Sequence, residues 1–473
     1  MRLSFEALRA SVDRQWNELI LPALQSYIMI PCVSPAFDPS WQAHGYIEDA
    51  VELMKLWCKA QPLPAMRVQV LRGKGLTPLL LVDVPGDTPA CVLIYGHLDK
   101  QPALSGWLPG LGPWQPVERG GKLYGRGGAD DGYAVFSAIA AIVALREQGI
   151  ATPRCVVLIE ASEESGSVHL AAHLDALGDR LPDPSLILCL DAECGDYDRL
   201  WCTTSLRGCV DGVLHVRTLS GAVHSGFAGG IAPCPLRVAA NVLARLGCGN
   251  DGMVTLPALS VEIPSDRAQQ TAGAARVLAG RLIRKIPLLP GVEPVASETE
   301  TLLVNSTWRA TLAVSGIDGI PLVADAGNAI LPQVSLRISL RLPPTLSATR
   351  AAEAIRGTLE SHPPHGADVC VEITDALSGW NAPPAARWLQ AAMELASREC
   401  FGAPAESVGC GGTIPFLPML AQRFPGAQFL ATGVLGPGSN AHGPNEFLHL
   451  DYVRRLNCCI ASVLADCAAA HVA

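Results

Sequence analysis

Hydrophobic residues along this chain are bunched into short blocks. Five runs rich in Val, Ile and Leu, at Leu79–Val84, Cys91–Tyr95, Cys155–Ile159, Leu186–Leu190 and Gln428–Ala431, lack the polar alternation of a half-exposed strand. Strands apolar on both faces are the mark of a buried parallel sheet, and these runs are read as such. Helical patterns fill the gaps between them. Gly132–Glu147 is the clearest, an apolar helix that stops just short of Gly149, where a C-terminal cap is expected. The alternation predicts an α/β sheet with helices on both faces.

From about Gly208 to Ala376 the pattern changes. Cys209–Arg217 and Thr311–Val314 read as half-buried strands, Pro235–Leu246 and Ala348–Leu359 as helices, and Val334–Leu342 as another strand. This α+β pattern predicts a second domain inserted into the first. The expected boundaries are 1–207 with 377–473 for the α/β domain and 208–376 for the insert. Within the insert, 247–307 carries helical pieces broken by Pro and Gly and predicts no definite layout. There is no internal repeat and no low-complexity linker.

A chain of 473 residues exceeds the size at which one core stops growing, which agrees with two domains. A net charge of -9 without a Lys/Arg cluster argues against nucleic acid as a partner. The N-terminus, MRLSFEALRASVDRQWNELI, alternates charged and apolar residues as an amphipathic helix does and lacks the apolar core of a signal peptide. Apolar stretches elsewhere are interrupted by charge, Pro or Gly, so no membrane span is expected. The 16 cysteines are scattered without CxxC spacing and read as small buried hydrophobes. These features predict an unexported, cytoplasmic protein.

Acidic and imidazole groups fall where the strands end. His97 follows CVLIYG, Glu163 and Glu164 follow RCVVLIEAS, Asp191 follows SLILCL, and His442 lies in the loop after QFLATGVLG. In open α/β sheets the ligand crevice lies beyond the carboxyl ends of the strands, so these groups can converge there. Asp130 closes the glycine-rich loop GRGGAD just before the apolar helix. Two His and three carboxylates suit two zinc ions, each with one imidazole and one terminal carboxylate, sharing a bridging Asp. Glu163 is then free to accept a proton. Asp99, two residues after His97, suits the carboxylate that fixes a ligand imidazole's tautomer. Asp also caps turns, and that use of Asp99 stays open. A lone His is more often structural than a ligand, so the weight rests on the set.

The segments YGHLD, LYGRGGADDG, EASEESGS, LDAECG, HSGFAGG and SNAHGPNE resemble the di-zinc exopeptidase family that contains cytosolic nonspecific dipeptidase, carnosinase, aminoacylase and succinyl-diaminopimelate desuccinylase. They occur in order over nearly the whole chain, nearest the dipeptidase branch. The resemblance implies a zinc-exopeptidase-like catalytic domain with a mixed sheet and an inserted ferredoxin-like domain that serves as lid and dimerisation surface. It assigns His97, Asp191 and the bridging Asp130 to one zinc, and Glu164, His442 and Asp130 to the other. Manganese and cobalt suit the same donors. Glu163 becomes the general base, and the Asp130–Asp131 peptide is expected to be cis. His224 matches a histidine that reaches a partner subunit's site and stabilises the oxyanion, which implies a homodimer. Arg341 and Asn328 match lid residues near the substrate, and Thr413 matches a residue that contacts its carboxylate.

The resemblance thus implies a metal-dependent hydrolase of small peptides with a free carboxylate, or alternatively of N-acyl amino acids. Two departures stand out. Many relatives read DDKG where this chain has Asp131-Gly132-Tyr133, and many carry Arg-Glu where it has Gly409-Cys410. A serine hydrolase lacks its G-x-S-x-G elbow here, a single-zinc protease its H-E-x-x-H, and a nucleotide-binding enzyme its third glycine in GRGGAD. A non-catalytic protein of the same fold would be expected to have lost a ligand or the base, and all are present.

Overall fold

The computed structural model of the chain describes residues 2–247, 252–414 and 416–472, so 248–251 of the unassigned stretch and Pro415 of the GGTIP segment lie outside the described residues. The chain divides into two units, Met1–Thr203 with Ala382–Ser407 and Pro415–Ala473, and Thr204–Asn381 with Val408–Ile414.

In the first unit, four strands lie side by side and parallel in the order Arg154–Glu160, Cys91–His97, Leu186–Cys189, Gln428–Ala431. Cys91–His97 is buried at every position. Full burial of a Val, Leu or Ile side chain contributes roughly 1.5–3 kcal/mol, so these strands form a rigid base for whatever follows their ends. Antiparallel strands on both sides make the sheet mixed. Trp201–Leu206 pairs with Gln428–Ala431 at Thr203, and Leu79–Val84 pairs with Arg154–Glu160, with Arg67–Leu71 beyond it. Leu79–Val84 therefore corrects the parallel assignment. It is buried everywhere except Asp83, so it shows none of the alternation that marks an antiparallel strand open to water.

The apolar helix spans Ala134–Glu147 and is buried from Ala134 through Leu145. It packs against the C-terminal helix Leu450–Ala470 and the N-terminal helix Phe5–Gln15. Gly149 adopts φ 65°, and the Ile150 N–H donates to the Leu145 carbonyl at 3.0 Å, closing the helix as the sequence predicts. The amphipathic N-terminus forms Phe5–Gln15 and continues through Trp16–Ile20 into Leu21–Ile28, burying Leu8, Val12, Trp16 and Ile20. No disulfide joins the described cysteines to one another; most of them are buried, though Cys370 is exposed. Among the described residues no helix is long and apolar enough to cross a membrane.

In the second unit, four antiparallel strands run in the order Thr311–Asp318, Gln333–Leu342, Gly208–Arg217, Asp368–Leu377. The helices Pro235–Leu243 and Ala348–Glu360 pack on this sheet. Val210, Leu214, Ile338, Leu340, Val242 and Ile355 share their core. In chain order this is a split βαβ arrangement of the ferredoxin-like kind. The stretch without a predicted layout carries the helices Ser265–Leu278 and Thr299–Trp308.

Candidate metal centre

Because the four parallel strands are adjacent, the groups that follow their carboxyl ends are adjacent too. His97 is the last residue of its strand, Glu163 and Glu164 open a short turn after Arg154–Glu160, and Asp191 follows Leu186–Cys189. His442 sits after Gln428–Ala431 in a loop where Asn440, His442 and Asn445 all adopt positive φ. Non-glycine residues hold that conformation only where the surroundings impose it. Gly96 lets the strand approach the apolar helix, since a Cβ there would stand 2.6 Å from both the Ala134 Cβ and Asp131 Oδ2. The Asp130–Asp131 peptide is cis.

The side chains form two triads that share one residue. His97, Asp130 and Asp191 place one ligand atom each within 4.8 Å of one another, and so do Asp130, Glu164 and His442. His97 Nε2 lies 3.1 Å from Asp130 Oδ1, and His442 Nε2 lies 3.0 Å from Asp130 Oδ2, so each imidazole faces a different oxygen. Glu164 Oε2 is 3.2 Å from His442 Nε2. Glu164 Oε1 is buried without a hydrogen-bond partner, an unusual state for a carboxylate oxygen and the one a cation would relieve. The nitrogen and oxygen donors fit two divalent ions. Glu163 belongs to neither triad, yet its Oε2 stands 3.9 Å from His97 Nε2.

The groups behind the ligands do more than the sequence reading gave them. The Asp99 carboxylate accepts the backbone N–H groups of Glu163 and Glu164, both at 3.1 Å. His97 Nδ1 donates to the Asp99 backbone carbonyl at 3.0 Å, with the carboxylate at 3.6 Å. Asp99 thus orients the His97 imidazole chiefly through its main chain, and its side chain holds the Glu163–Glu164 turn. The Asp131 carboxylate accepts the His97 N–H at 3.2 Å. Tyr133, one of the departures, donates its hydroxyl to the Leu190 carbonyl and so anchors the strand end that carries Asp191.

Sequence reasoning missed a buried ion pair. Arg126 Nη1 meets Glu446 Oε2 at 2.7 Å, with both side chains almost wholly buried. Glu446 Oε1 accepts the N–H groups of Gly127, Ala129 and Asp130, while Arg126 Nη2 donates to the Gly443 carbonyl beside His442. The pair ties the Asp130 loop to the His442 loop. Glu446→Gln leaves the Arg126 charge buried and uncompensated, which should cost about 3–5 kcal/mol of stability. It should also weaken metal binding by roughly 10–100-fold. Thermal unfolding and metal titration of the variant measure both, and an unchanged metal affinity would remove the positioning role.

Burial lowers both imidazoles, but the carboxylates beside them more than offset it. His97 is raised well above its ordinary value by Asp130 and Asp99, and His442 is raised to about 11 by Asp130 and Glu164. Burial would raise Asp130 too, yet hydrogen bonds from His442 and His97 hold its carboxyl below the usual range. Burial pushes Asp191 up to about 7, and burial with Asp191 nearby pushes Glu163 well up. Ligands must shed protons before they bind a metal. Zinc loading of the metal-free protein at neutral pH should therefore release a proton from each imidazole and tighten as pH rises. Calorimetric titration in buffers of different ionisation enthalpy counts these protons; affinity independent of pH would contradict the expectation.

The remaining candidate residues lie in the second unit and form two groups. His224 pairs with Ala329 in a two-stranded ribbon, and the Ser225 N–H donates to the Asn328 carbonyl at 2.9 Å. His224 Nδ1 accepts the Gly226 N–H at 3.1 Å, which leaves Nε2 as the nitrogen that carries the proton. Arg341 Nη1 donates to Thr413 Oγ1 at 3.2 Å, and Thr413 Oγ1 donates to the Arg207 carbonyl at 2.6 Å. Thr413 thus orients Arg341. Gly409, the other departure, has no room for a larger residue, because a Cβ there would meet Ser205 Oγ at 2.7 Å and Thr307 Cβ at 2.9 Å.

Comparison with known proteins gives a consistent picture. The model of peptidase family M20/M25/M40 matches residues 93–466. A cysteinylglycine-S-conjugate dipeptidase of Corynebacterium striatum is 30% identical over 377 residues, covering 76% of this chain and 77% of that protein. A Beta-Ala-His dipeptidase of Homo sapiens is 28% identical over 366 residues, covering 73% of this chain and 69% of its own. The crystal structure of human carnosine dipeptidase 1 shares the fold with a TM-score of 0.76 at 22% identity, over 99% of each chain.

Proposed function

The chain belongs to peptidase family M20/M25/M40, and from that premise we propose that it is a zinc-dependent dipeptidase acting on small peptides with a free carboxylate. The observation that carries this reading is Glu163 poised beside two ligand triads that share Asp130. Zinc held by these triads would polarise the scissile carbonyl and make a water acidic enough to lose a proton near neutral pH. Glu163 accepts that proton and returns it to the leaving amine; its raised pKa keeps the return step available. His224 donates from Nε2 to the developing oxyanion. Arg341 grips the substrate carboxylate through two parallel hydrogen bonds, with Thr413 and Asn328 beside the substrate. Manganese or cobalt could fill the same donors. We place the enzyme in the cytoplasm, where thiols stay reduced.

The test is a panel of dipeptides, N-acyl amino acids and N-succinyl and N-carbamoyl compounds, each with and without added zinc. Metal-dependent release of free amino acids from dipeptides is expected. Faster turnover of the N-acyl compounds would replace the dipeptidase reading with a deacylase, and no turnover of any would favour a non-catalytic protein.

We take residues 208–376 to be a lid and dimerisation domain, with His224 acting on a partner subunit's substrate. The ribbon around His224 and Asn328 is flanked by exposed apolar side chains, Phe227, Ile231, Leu322 and Val323, the last 95% exposed. A patch of this kind suits an interface. Mixing inactive Glu163→Ala subunits with inactive His224→Ala subunits should restore up to about half of the active sites per heterodimer, since one site then has both groups intact. Demonstrated subunit exchange without recovered activity would show that His224 does not act in trans.

A further inference from the structure

Glu160 closes the strand Arg154–Glu160, opposite His97 in the register of the parallel pair, and is only 2% exposed. It belongs to neither triad, and among the described residues none of the ion pairs around the centre includes it. Its donors are hydroxyls instead. Tyr95 Oη donates to Glu160 Oε1 at 2.5 Å, Ser167 Oγ to the same oxygen at 2.8 Å, and Ser162 Oγ to Oε2 at 3.1 Å. Burying a carboxylate without a cation is costly. Such a group, once its hydrogen bonds are made, fixes one arrangement of its neighbours where an apolar residue would leave several.

The neighbours it fixes are those of the reaction. Ser162 and Ser167 flank the turn that carries Glu163 and Glu164, so the two oxygens of one carboxylate hold its two ends. The Ser167 N–H closes the turn on the Ser162 carbonyl at 2.9 Å, and the Gly166 N–H donates to the Glu163 carbonyl at 2.6 Å. Ser167 adopts φ 54°, which a non-glycine residue keeps only where its surroundings impose it. Tyr95 lies two residues before His97 on the neighbouring strand, its ring stacked on Phe416 at 3.5 Å between centroids. The Leu98 N–H donates to the Glu160 carbonyl at 2.9 Å. Asp99 holds the middle of the same turn through the N–H groups of Glu163 and Glu164 and leaves its ends to Glu160.

We propose that Glu160 is a positioning residue: its carboxylate, acting through Tyr95, Ser162 and Ser167, sets where Glu163 stands against His97 and where Glu164 meets its triad. Its effect on turnover rests on the reading of Glu163 as the base of a dipeptidase; its effect on the turn does not. A reacting group displaced by about 1 Å can lose roughly 10²-fold in rate, so a rigid turn matters here.

Glu160→Leu and Glu160→Gln, made in the full-length protein, test this. Leucine fills the space and accepts no hydrogen bond, whereas the glutamine amide both accepts from hydroxyls and donates to them. In the metal-free protein, hydrogen exchange of the Gly166 and Ser167 amides should quicken by roughly tenfold or more in Glu160→Leu, and Glu160→Gln should restore most of the protection. With zinc at saturation, kcat of Glu160→Leu on Ala-Leu should fall by roughly 10–100-fold with KM little changed, and Glu160→Gln should recover most of that loss. Added to Glu163→Gln, Glu160→Leu should cost little further, because the two act through one group. If Glu160→Leu does not fold, Ser167→Ala and Tyr95→Phe each remove one hydroxyl and should show the same pattern to a smaller degree. Native exchange in the folded variants, native kcat, or a loss that persists in full beside Glu163→Gln would overturn the positioning role. Faster exchange in a protein whose native form cleaves no dipeptide would leave Glu160 holding the turn and remove the dipeptidase reading.

Discussion

Glu163→Gln should lower kcat by roughly 10²–10⁴-fold while both metal ions stay bound. The expectation follows from its place outside both triads, with Oε2 3.9 Å from His97 Nε2. Gln keeps the shape and the backbone N–H that Asp99 accepts, so the turn that also carries Glu164 is undisturbed. It removes only the capacity to take a proton and give it back. Because the loss falls on a step after binding, kcat should fall with KM little changed. Metal analysis of the purified variant beside steady-state kinetics decides the matter. Loss of one zinc equivalent would make Glu163 a ligand, and near-native turnover would place the base elsewhere.

The candidate site was legible because the ligands sit at the ends of apolar runs, and a parallel sheet gathers those ends at one edge. Cys91–His97 and Leu186–Cys189 announce themselves by their lack of alternation, and His97 and Asp191 follow directly. That same signal misled for Leu79–Val84, where burial on both faces erases the difference between parallel and antiparallel pairing. Arg126 and Glu446 lie inside the segments that carried the resemblance, but an ion pair between residues 320 apart leaves no local pattern to read. Ser265–Leu278 opens with a polar run and Thr299–Trp308 has no apolar face of helical period, so the helical pieces expected in this stretch could not be placed from periodicity.

Asp130→Ala should remove both metal ions together, because Asp130 is the one residue the two triads share. Its two oxygens face different imidazoles, Oδ1 toward His97 and Oδ2 toward His442, so its loss leaves His97 with Asp191 and Glu164 with His442. Two protein donors fall short of the three that catalytic zinc sites keep. His442→Ala is the informative control, since it takes a donor from one triad only and should spare the other ion. The Asp130 backbone N–H that Glu446 accepts survives the substitution, so the loop keeps its anchor and the fold should hold. Zinc content after dialysis, measured beside circular dichroism, reads the outcome. Fewer than one equivalent on a folded Asp130→Ala chain, against about one on His442→Ala, is expected from a shared ligand. Two equivalents retained by folded Asp130→Ala would refute the bridging role and leave each ion to a separate donor set.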